Sequence, residues 1–463
     1  MSTRRAFLKS AGIYSAGFLG LRSLVNHPLA AGLAAPAAAG FGPLRPDPAG
    51  LLELPKGFAY TTFSHAGEEL DDGLLVPGMH DGMAAFAGPG GRTLLVRNHE
   101  LQSGWMAASP FGDANVRLDR IPAGKIYDRG QGRQPSIGGT TTLVFDTKTQ
   151  RLEGHHLSLI GTERNCAGGV TPWGTWVTCE EVNELPEPFA EELHGYNFEV
   201  TPSVEPRLSD PVPLKAMGRF RHEAIAVDPR SGVVYETEDL GDGLLYRFIP
   251  DEPGKLAQGG KLQALAIRGT KSADTRNWLG SPGFPTGTPV AVEWIDLEEI
   301  DSPNNDLRHR GHAAGAAVFA RGEGAVWAED SAYFAMTNGG QNLMGQIFRY
   351  RPSPYEGTAR EAETPGTLEL FAEPNDTELL RNGDNIVMAP WGDLVICEDT
   401  SGVCRVVAVT PAGEFYVIAS AANDGSEFAG ACFSPDGSTL FVNVQKPGYT
   451  IAITGPWDTL RRA

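Results

Sequence analysis

Short runs in which apolar and polar residues alternate recur along this chain, and a turn signal divides each run. The two clearest runs, at 171–181 and 389–399, read TPWGTWVTCEE and APWGDLVICED. Each predicts a strand, a tight turn at the proline and glycine, and a second strand that ends on an acidic pair. Looser copies of the same hairpin occur at 84–100, 223–239, 324–338 and 430–445. Six related hairpins indicate a repeated β architecture.

A polar side chain stands ahead of each of these turns. Cys166, Glu223 and Asp384 lie six residues before a turn proline. The comparable residues of the other three copies are Asp81, Glu323 and Glu427. A hairpin begins and ends at one edge, so the polar residues and the acidic pairs should share a rim. In a propeller that rim faces the central channel. We therefore expect an all-β, six-bladed β-propeller; a pair of β-sandwich sheets, the main competing fold, leaves six matching hairpins unexplained.

The hairpins are spaced unevenly along the chain. Several lie further apart than the roughly 40–45 residues of a four-stranded blade. We expect insertions between blades, with 183–215 and 252–312 as the best candidates. Helical periodicity is nearly absent after residue 40, and the 57 glycines and 34 prolines suit many short strands and turns.

The N-terminus resembles an export signal. Arg4 and Arg5 are followed by Phe-Leu-Lys, as in a twin-arginine motif, and an apolar stretch at 11–25 is interrupted only by Arg22. That stretch is too short for a membrane span. We expect residues 1–39 to be a cleavable signal read by the twin-arginine export machinery, and residues 40–463 to form a single propeller domain that is periplasmic or secreted.

Charge narrows the choice of partners. The chain carries a formal net charge of −19, and its predicted signal holds four positive residues and no acid. Such a surface disfavours nucleic acid as a specific partner. Carboxylates gathered on one rim would instead attract hard cations such as calcium. We expect the mature protein to be a monomer.

The five cysteines are an odd number, so an exported chain keeps at least one free thiol. Cys179 and Cys397 occupy equivalent strand positions and are expected to be buried apolar residues, with a disulfide as the alternative. Cys166 stands where other copies carry a carboxylate. A thiolate among carboxylates favours a transition metal, whereas the alternative is an ordinary core cysteine.

Arg321 lies two residues before Glu323. On a strand, residues two apart point to the same side, so its guanidinium should stand beside a ligand carboxylate. That pairing suits an anionic substrate, because a guanidinium offers two parallel donors to a phosphate. The alternative is a salt bridge that only neutralises the acids.

Four segments closely resemble the motifs of the PhoX-type alkaline phosphatases. They lie at 165–181, 218–224, 321–323 and 428–441, and the similarity runs from about residue 54 to about residue 457. The resemblance implies a six-bladed propeller with a cluster of iron (Fe3+) and calcium in its channel. It also implies an enzyme that hydrolyses phosphoesters, with small phosphorylated molecules as substrates. The chain is short for the family, which leaves its substrate range open.

The resemblance also assigns roles to residues. Cys166 would be the thiolate ligand of iron, and Glu223 and Glu323 its carboxylate ligands. Glu181 would hold calcium beside the iron, and Arg321 would hold the phosphate. The repeat pattern adds Asp384, Glu398 and Asp399 as calcium ligands.

Two other functions compete with a phosphatase. A calcium-dependent propeller hydrolase, such as a lactonase, explains the carboxylates but neither Cys166 nor Arg321. A non-catalytic propeller that binds a partner on its loops requires the rim acids to be solvated. Solvation does not predict a thiol in register with carboxylates.

Overall fold

The computed structural model describes residues 40–105, 109–183, 188–423 and 425–460. The predicted export signal at 1–39 lies outside these residues. In the part that the structure describes, the fold is all-β with one α-helix, α1 (Leu307–Ala314), in a connection between strands. None of the helices found there is long and apolar enough to cross a membrane.

Most of the described chain lies in short strands. In chain order they are β1 (Leu44–Arg45), β2 (Leu52–Pro55), β3 (Ala59–Phe63), β4 (His80–Ala87), β5 (Arg92–His99), β6 (Gly138–Asp146), β7 (Arg151–Thr162), β8 (Asn165–Val170), β9 (Trp176–Glu180), β10 (Asn197–Val200), β11 (His222–Val227), β12 (Val234–Glu238), β13 (Leu245–Pro250), β14 (Gly260–Ile267), β15 (Val290–Asp296), β16 (Gly322–Ala328), β17 (Ser331–Met336), β18 (Gln346–Arg351), β19 (Thr367–Ala372), β20 (Gly383–Met388), β21 (Leu394–Glu398), β22 (Arg405–Val409), β23 (Phe415–Ala421), β24 (Phe428–Phe433), β25 (Thr439–Val444) and β26 (Tyr449–Thr454).

These strands form five antiparallel sheets. Two are four-stranded, in the orders β4-β5-β6-β7 and β24-β25-β26-β3, and one has the three strands β8-β9-β10. A six-stranded sheet runs β20-β21-β22-β23-β2-β1. A nine-stranded sheet runs β11-β12-β13-β14-β15-β19-β18-β17-β16. The propeller-like arrangement agrees with the expected fold class, but the number of sheets differs from six.

The difference comes from β15. This strand pairs with β14 along Val292–Asp296 and with β19 at Val290 and Ala291. It therefore joins two four-stranded units, β11 to β14 and β16 to β19, that would otherwise be separate sheets. It lies in the segment 252–312, which was predicted to be an insertion from its composition alone.

The first strand of each unit faces a central channel. β4 contacts β8, β8 contacts β11, β11 contacts β16, β16 contacts β20, β20 contacts β24, and β24 returns to β4. These six strands make a closed ring. Beyond their first residues they surround a cavity of about 420 Å³, lined mainly by small and apolar side chains such as Ala84, Ala224 and Val326. We call it the apolar cavity.

The hydrophobic core is divided into clusters between neighbouring strands and sheets. One cluster joins the two halves of the nine-stranded sheet through Tyr235, Phe334 and Tyr350. β9 and β21 are buried at every position, which agrees with their apolar runs in the two clearest hairpins. This packing holds the first strands in place around the channel.

Candidate metal centre

A β-bulge begins the first strand of all six hairpins. The residue pairs that precede the bulges are His80–His99, Asn165–Glu180, His222–Glu238, Gly322–Met336, Gly383–Glu398 and Ala429–Asn443. After each pair the register shifts, because the first strand carries one extra residue. A bulge bends the strand and re-aims a side chain. The bulge therefore places the residue after each pair outside the regular pattern of paired residues between the two strands.

In five hairpins the residue after the pair is a potential metal ligand. These five are Asp81, Cys166, Glu223, Glu323 and Asp384, and all of them line one cavity. The sixth hairpin has Gly430 at this position. A Cβ there would lie 2.4 Å from the Asp81 carbonyl oxygen, so the site has no room for a side chain. Glu427 lines the same cavity from the loop before β24.

The cavity has a volume of about 510 Å³ and lies at the bulged end of the channel. We call it the acidic cavity. Its carboxylates are Asp81, Glu100, Glu181, Glu223, Asp239, Glu323, Asp384, Asp399 and Glu427. The Cys166 thiol and the cations Arg164, Arg221, Arg321 and Lys446 complete the charged lining.

Three groups of ligand atoms in this cavity are close enough to hold metal ions. Each group has one atom per residue within 4.8 Å of the others: Cys166–Glu181–Glu223, Glu223–Glu323–Asp384 and Asp81–Glu100–Glu427. The first two share Glu223. The second and third consist only of oxygen donors. The first combines a thiol with carboxylates, so the donor chemistry differs between the groups.

Six of the seven metal ligands expected from the sequence therefore meet in the acidic cavity, and Glu398 does not. Its Oε2 accepts a hydrogen bond from Arg405 Nε at 2.8 Å, and its Oε1 accepts one from Arg405 Nη2 at 2.6 Å. The carboxylate is fully buried in the sheet. Successive residues of a strand point to opposite sides, which explains why Asp399 lines the cavity while Glu398 does not.

The same alternation divides the acidic pair of the second hairpin. Glu181 lines the acidic cavity. Glu180 points into the sheet, where its Oε1 lies 2.6 Å from His194 Nδ1. Burial lowers the pKa of His194, but Glu180 and Asp128 outweigh that effect and raise it to about 10. Each acidic pair thus supplies one cavity carboxylate and one structural carboxylate.

Electrostatics in the acidic cavity favour cations. Burial and the neighbouring carboxylate of Asp239 raise the pKa of Glu181, although Arg164 and Arg221 oppose this rise. Burial and Asp399 raise the pKa of Asp384. Burial, with Glu223 next to it, raises the pKa of the Cys166 thiol. Acidic groups this close together can all ionise only when positive charge lies among them. The lining of the acidic cavity therefore fits bound metal ions.

Arg321 stands at the edge of the acidic cavity. Its Nε donates to Asp239 Oδ1 at 2.7 Å and its Nη2 to Asp239 Oδ2 at 2.9 Å. The Nη2 also lies 3.0 Å from Glu323 Oε1. The side chain is 38% exposed, so part of its surface remains open to the cavity. Arg321 therefore lies beside the expected metal ligand Glu323, and it also forms two hydrogen bonds with Asp239.

Two further arginines were missed in the sequence. Arg164 and Arg221 precede Cys166 and Glu223 by two residues, as Arg321 precedes Glu323. Arg164 Nη2 lies 2.5 Å from Glu181 Oε2, and Arg221 Nη2 lies 2.6 Å from Glu181 Oε1. Their position two residues before an expected ligand was the sequence signal that could have identified them.

The backbone also repeats at this position. Arg164 and Arg321 have φ values of 48° and 56°, and Met79 and Asn382 occupy the same place in their hairpins with φ values of 47° and 49°. Residues other than glycine adopt this left-handed region rarely and at a cost. Four hairpins therefore share one uncommon backbone geometry at the entrance to the ligand position.

Four cavity carboxylates were also absent from the expected ligand set: Asp81, Glu100, Asp239 and Glu427. Glu100 and Asp239 each follow the second strand of a hairpin, at the place of Glu181. The repeat pattern that added Asp399 to the expected ligands was sufficient to identify them. All five cysteines are free and buried, and Cys166 is the one that reaches the acidic cavity.

Comparisons with known proteins identify the family and the fold. Residues 39–152 and 130–448 match the model of a family described as alkaline phosphatase PhoX. Among solved structures, Pseudomonas fluorescens PhoX in complex with vanadate, a transition state analogue, is 20% identical. That alignment covers 90% of this chain and 98% of that one, with a TM-score of 0.64, so the two share a fold. A gluconolactonase from Xanthomonas campestris is 14% identical over 90% of this chain and 98% of its own, with a TM-score of 0.39. No match was found among curated proteins.

Proposed function

Since this chain belongs to the PhoX alkaline phosphatase family, a family of phosphoric ester hydrolases, we propose that it hydrolyses phosphoesters at an iron–calcium cluster in the acidic cavity. The observation that carries the proposal is the meeting of a thiol, shared carboxylates and Arg321 in one cavity. Residues 40–463 would form one catalytic domain. We count the nine-stranded sheet as two blades joined by β15, which makes the propeller six-bladed.

The donor atoms support two kinds of metal. A thiolate favours a transition metal, so Cys166 with Glu223 would hold iron, and Glu323 would complete its carboxylate ligands. Calcium takes oxygen ligands in flexible numbers. Glu181, Asp384 and Asp399 would hold it beside the iron, and the all-oxygen group of Asp81, Glu100 and Glu427 would hold a further calcium ion. When bound, the metals would supply Lewis-acid chemistry for phosphoryl transfer.

The arginines would make this cavity usable by an anionic substrate. A phosphate entering the cavity meets carboxylates, which repel it unless positive charge lies beside them. The Arg321 side chain is partly exposed there, and its guanidinium would donate hydrogen bonds to the phosphoryl oxygens. Arg164 and Arg221 would orient Glu181 by holding its two carboxylate oxygens from opposite sides.

The site suggests small phosphorylated molecules as substrates. A cavity of about 510 Å³ matches the lower part of the range typical of small-molecule sites. The net charge of −19 disfavours nucleic acid as a specific partner. We further propose that the chain is exported by the twin-arginine machinery, through the motif at Arg4 and Arg5, to the periplasm or beyond, and that it acts as a monomer.

The decisive experiment measures metal and activity together. Protein purified from its native export route should contain both iron and calcium and should hydrolyse a chromogenic phosphomonoester at alkaline pH. A calcium chelator should abolish the activity, and added calcium should restore it. Full activity after exhaustive removal of metal would overturn the proposal. Calcium without iron would favour another calcium-dependent hydrolase.

A further inference from the structure

Trp105 is an exposed aromatic residue at the edge of the acidic cavity. It lines this cavity, and 40% of its surface is exposed. Among the described residues of the lining it is the one aromatic side chain, and Met79 and Leu240 are the larger apolar ones. An aromatic side chain at the edge of a charged cavity places a flat apolar surface where a bound ligand can contact it.

The backbone before Trp105 is tied to the second hairpin. The Ser103 N–H donates to both carboxylate oxygens of Glu163, at 3.0 Å each. The Arg164 N–H donates to the Leu101 carbonyl oxygen at 2.8 Å. The Trp105 N–H closes the turn on the Gln102 carbonyl oxygen at 3.2 Å. The ring is therefore attached on the side of the cavity where Arg164 stands.

The anchor of this turn is itself buried. The Glu163 side chain also accepts a hydrogen bond from Ser136 Oγ at 2.5 Å, and Glu163 is 8% exposed. Leu101 is 1% exposed and packs in the core under the loop. These contacts hold the backbone before Trp105, so a ligand that contacts Trp105 should lose little backbone entropy on binding.

We propose that Trp105 is a specificity-determining residue that stacks on a planar aromatic ring in the leaving group of the substrate. This proposal rests on the proposed phosphatase function and names its preferred substrates: phosphoesters of aromatic alcohols or of nucleosides. The charged lining can recognise only the phosphoryl group. Trp105 adds a flat apolar face five residues from Glu100, and a ring gains from stacking on it in a way that a flexible aliphatic alcohol does not.

The test compares leaving groups that carry the same phosphoryl group. The kcat/KM values for phenyl phosphate, a nucleoside 5′-monophosphate and glycerol phosphate are measured for the wild type, Trp105→Ala and Trp105→Phe. The matched control is Trp173→Ala, which removes a half-buried tryptophan from the β8–β9 turn at the opposite end of the channel.

Trp105→Ala should lower the ratio of aromatic to glycerol substrate by about two- to twelve-fold, which corresponds to the 0.5–1.5 kcal/mol of an aromatic pair at about 1.4 kcal/mol per factor of ten. Trp105→Phe should keep most of the ratio, because it keeps a ring, and Trp173→Ala should leave it unchanged. A fall with phenyl phosphate alone identifies aryl esters as the source of the ring, and a fall with the nucleotide alone identifies nucleosides. An equal fall for all three substrates would overturn the proposal.

A binding measurement separates this proposal from the proposed function. Phenylphosphonate and methylphosphonate are not hydrolysed, and calorimetry on the metal-loaded protein gives their Kd values without turnover. The wild type should bind phenylphosphonate more tightly, and Trp105→Ala should remove most of that preference. An inactive wild type that still shows this preference contradicts phosphatase function only. An active wild type without the preference contradicts the role of Trp105.

Discussion

The two cavities of the channel are built from the same six first strands, yet they differ completely in chemistry. The acidic cavity, at the bulged end, is lined by nine carboxylates, a thiol and four cationic side chains. The apolar cavity, further along the same strands, is lined by residues such as Ala84, Ala226, Ile386 and Phe433. The change takes place within one or two residues, because Asp81 is followed by Gly82 and Glu323 by Gly324.

Close approach of the strands explains this sharp change. A Cβ at Gly82 would lie 2.6 Å from the Ala167 Cα, and one at Gly324 would lie 2.6 Å from the Asp384 carbonyl oxygen. The first strands of neighbouring units therefore nearly touch just below the ligands. Only the bulge turns a long side chain into open space. A propeller can thus gather many ligands on its axis at the cost of one irregular residue per strand.

The largest expected effect separates two equally buried cysteines. Cys166 lines the acidic cavity and Cys432 the apolar cavity, and each is 5% exposed. Cys166→Ser should remove most iron and the colour of thiolate–iron charge transfer. It should also lower activity by more than about 100-fold, since even outer partners of metal ligands cost about 10- to 100-fold. Metal analysis, absorption spectra and kcat measure this.

Cys432→Ser is the control for this change. It places a hydroxyl in an apolar cluster and should cost about 1–3 kcal/mol of unfolding free energy without loss of iron. If Cys166→Ser keeps its iron, colour and rate, Cys166 is structural, and a calcium propeller becomes the better account.

A second pair of variants tests the division of an acidic pair. Glu398→Gln removes one partner of the buried contact with Arg405 and should lower the free energy of unfolding by about 3–5 kcal/mol. Calcium content at saturating metal should stay unchanged in the folded fraction. Asp399→Asn should do the opposite, losing calcium with little loss of stability. Chemical denaturation and metal analysis distinguish them, and calcium loss in Glu398→Gln alone would restore Glu398 as a ligand.

Arg321→Ala should weaken the reaction without emptying the site. Loss of one charge-assisted contact to the transferring group should cost about 2–4 kcal/mol in the transition state. The control is Arg230→Ala, at the opposite end of its hairpin, where Arg230 Nε donates to Asp228 Oδ1 at 3.0 Å. The measurement is kcat/KM at matched metal content. Equal rates in Arg321→Ala and the wild type would mean that Arg321 only neutralises Asp239 and Glu323.

The smallest effect should come from a single methyl group between the two cavities. Gly324→Ala places its Cβ against the next first strand and should cost about 1–3 kcal/mol of stability, as overpacking usually does. Metal affinity should fall as well, because Glu323 and Asp384 move apart. Gly402→Ala is the control, since nothing lies within 4 Å of a Cβ there. Unchanged melting temperature and metal affinity in Gly324→Ala would show that the ring of first strands accommodates an added methyl group.

Local patterns predicted much of this protein. The runs at 171–181 and 389–399 supply the turns and second strands of the hairpins β8–β9 and β20–β21, with the turns where the proline and glycine were expected. The same repeat singled out Cys166, Glu223 and Glu323, each of which lies near the start of a first strand and lines the acidic cavity. What it could not supply was the phase of each strand. Without the phase of β21, Glu398 and Asp399 look equivalent.

Other features depend on partners that are distant in the chain. β15 joins two units because Val290 meets Leu368, and nothing within 252–312 announces that partner. Gly430 stands in the ligand place of the sixth hairpin, and its lack of a side chain follows from the position of Asp81, more than 300 residues earlier. Contacts between residues so far apart in the sequence arise only when the ring closes, so no single segment predicts them.

The last sheet, which contains the sixth first strand, forms late in synthesis. β3 completes the last sheet by pairing with β26, so Thr450 lies opposite Phe63. A ribosome makes β3 among the first strands and β26 last, so β3 must wait for nearly the whole chain before it finds its partner. Contacts of such long range form slowly. A chain that stops before β24 has five of the six first strands, so it has no closed ring and no complete acidic cavity. The acidic cavity therefore forms only after the sixth first strand has been made and has joined the ring.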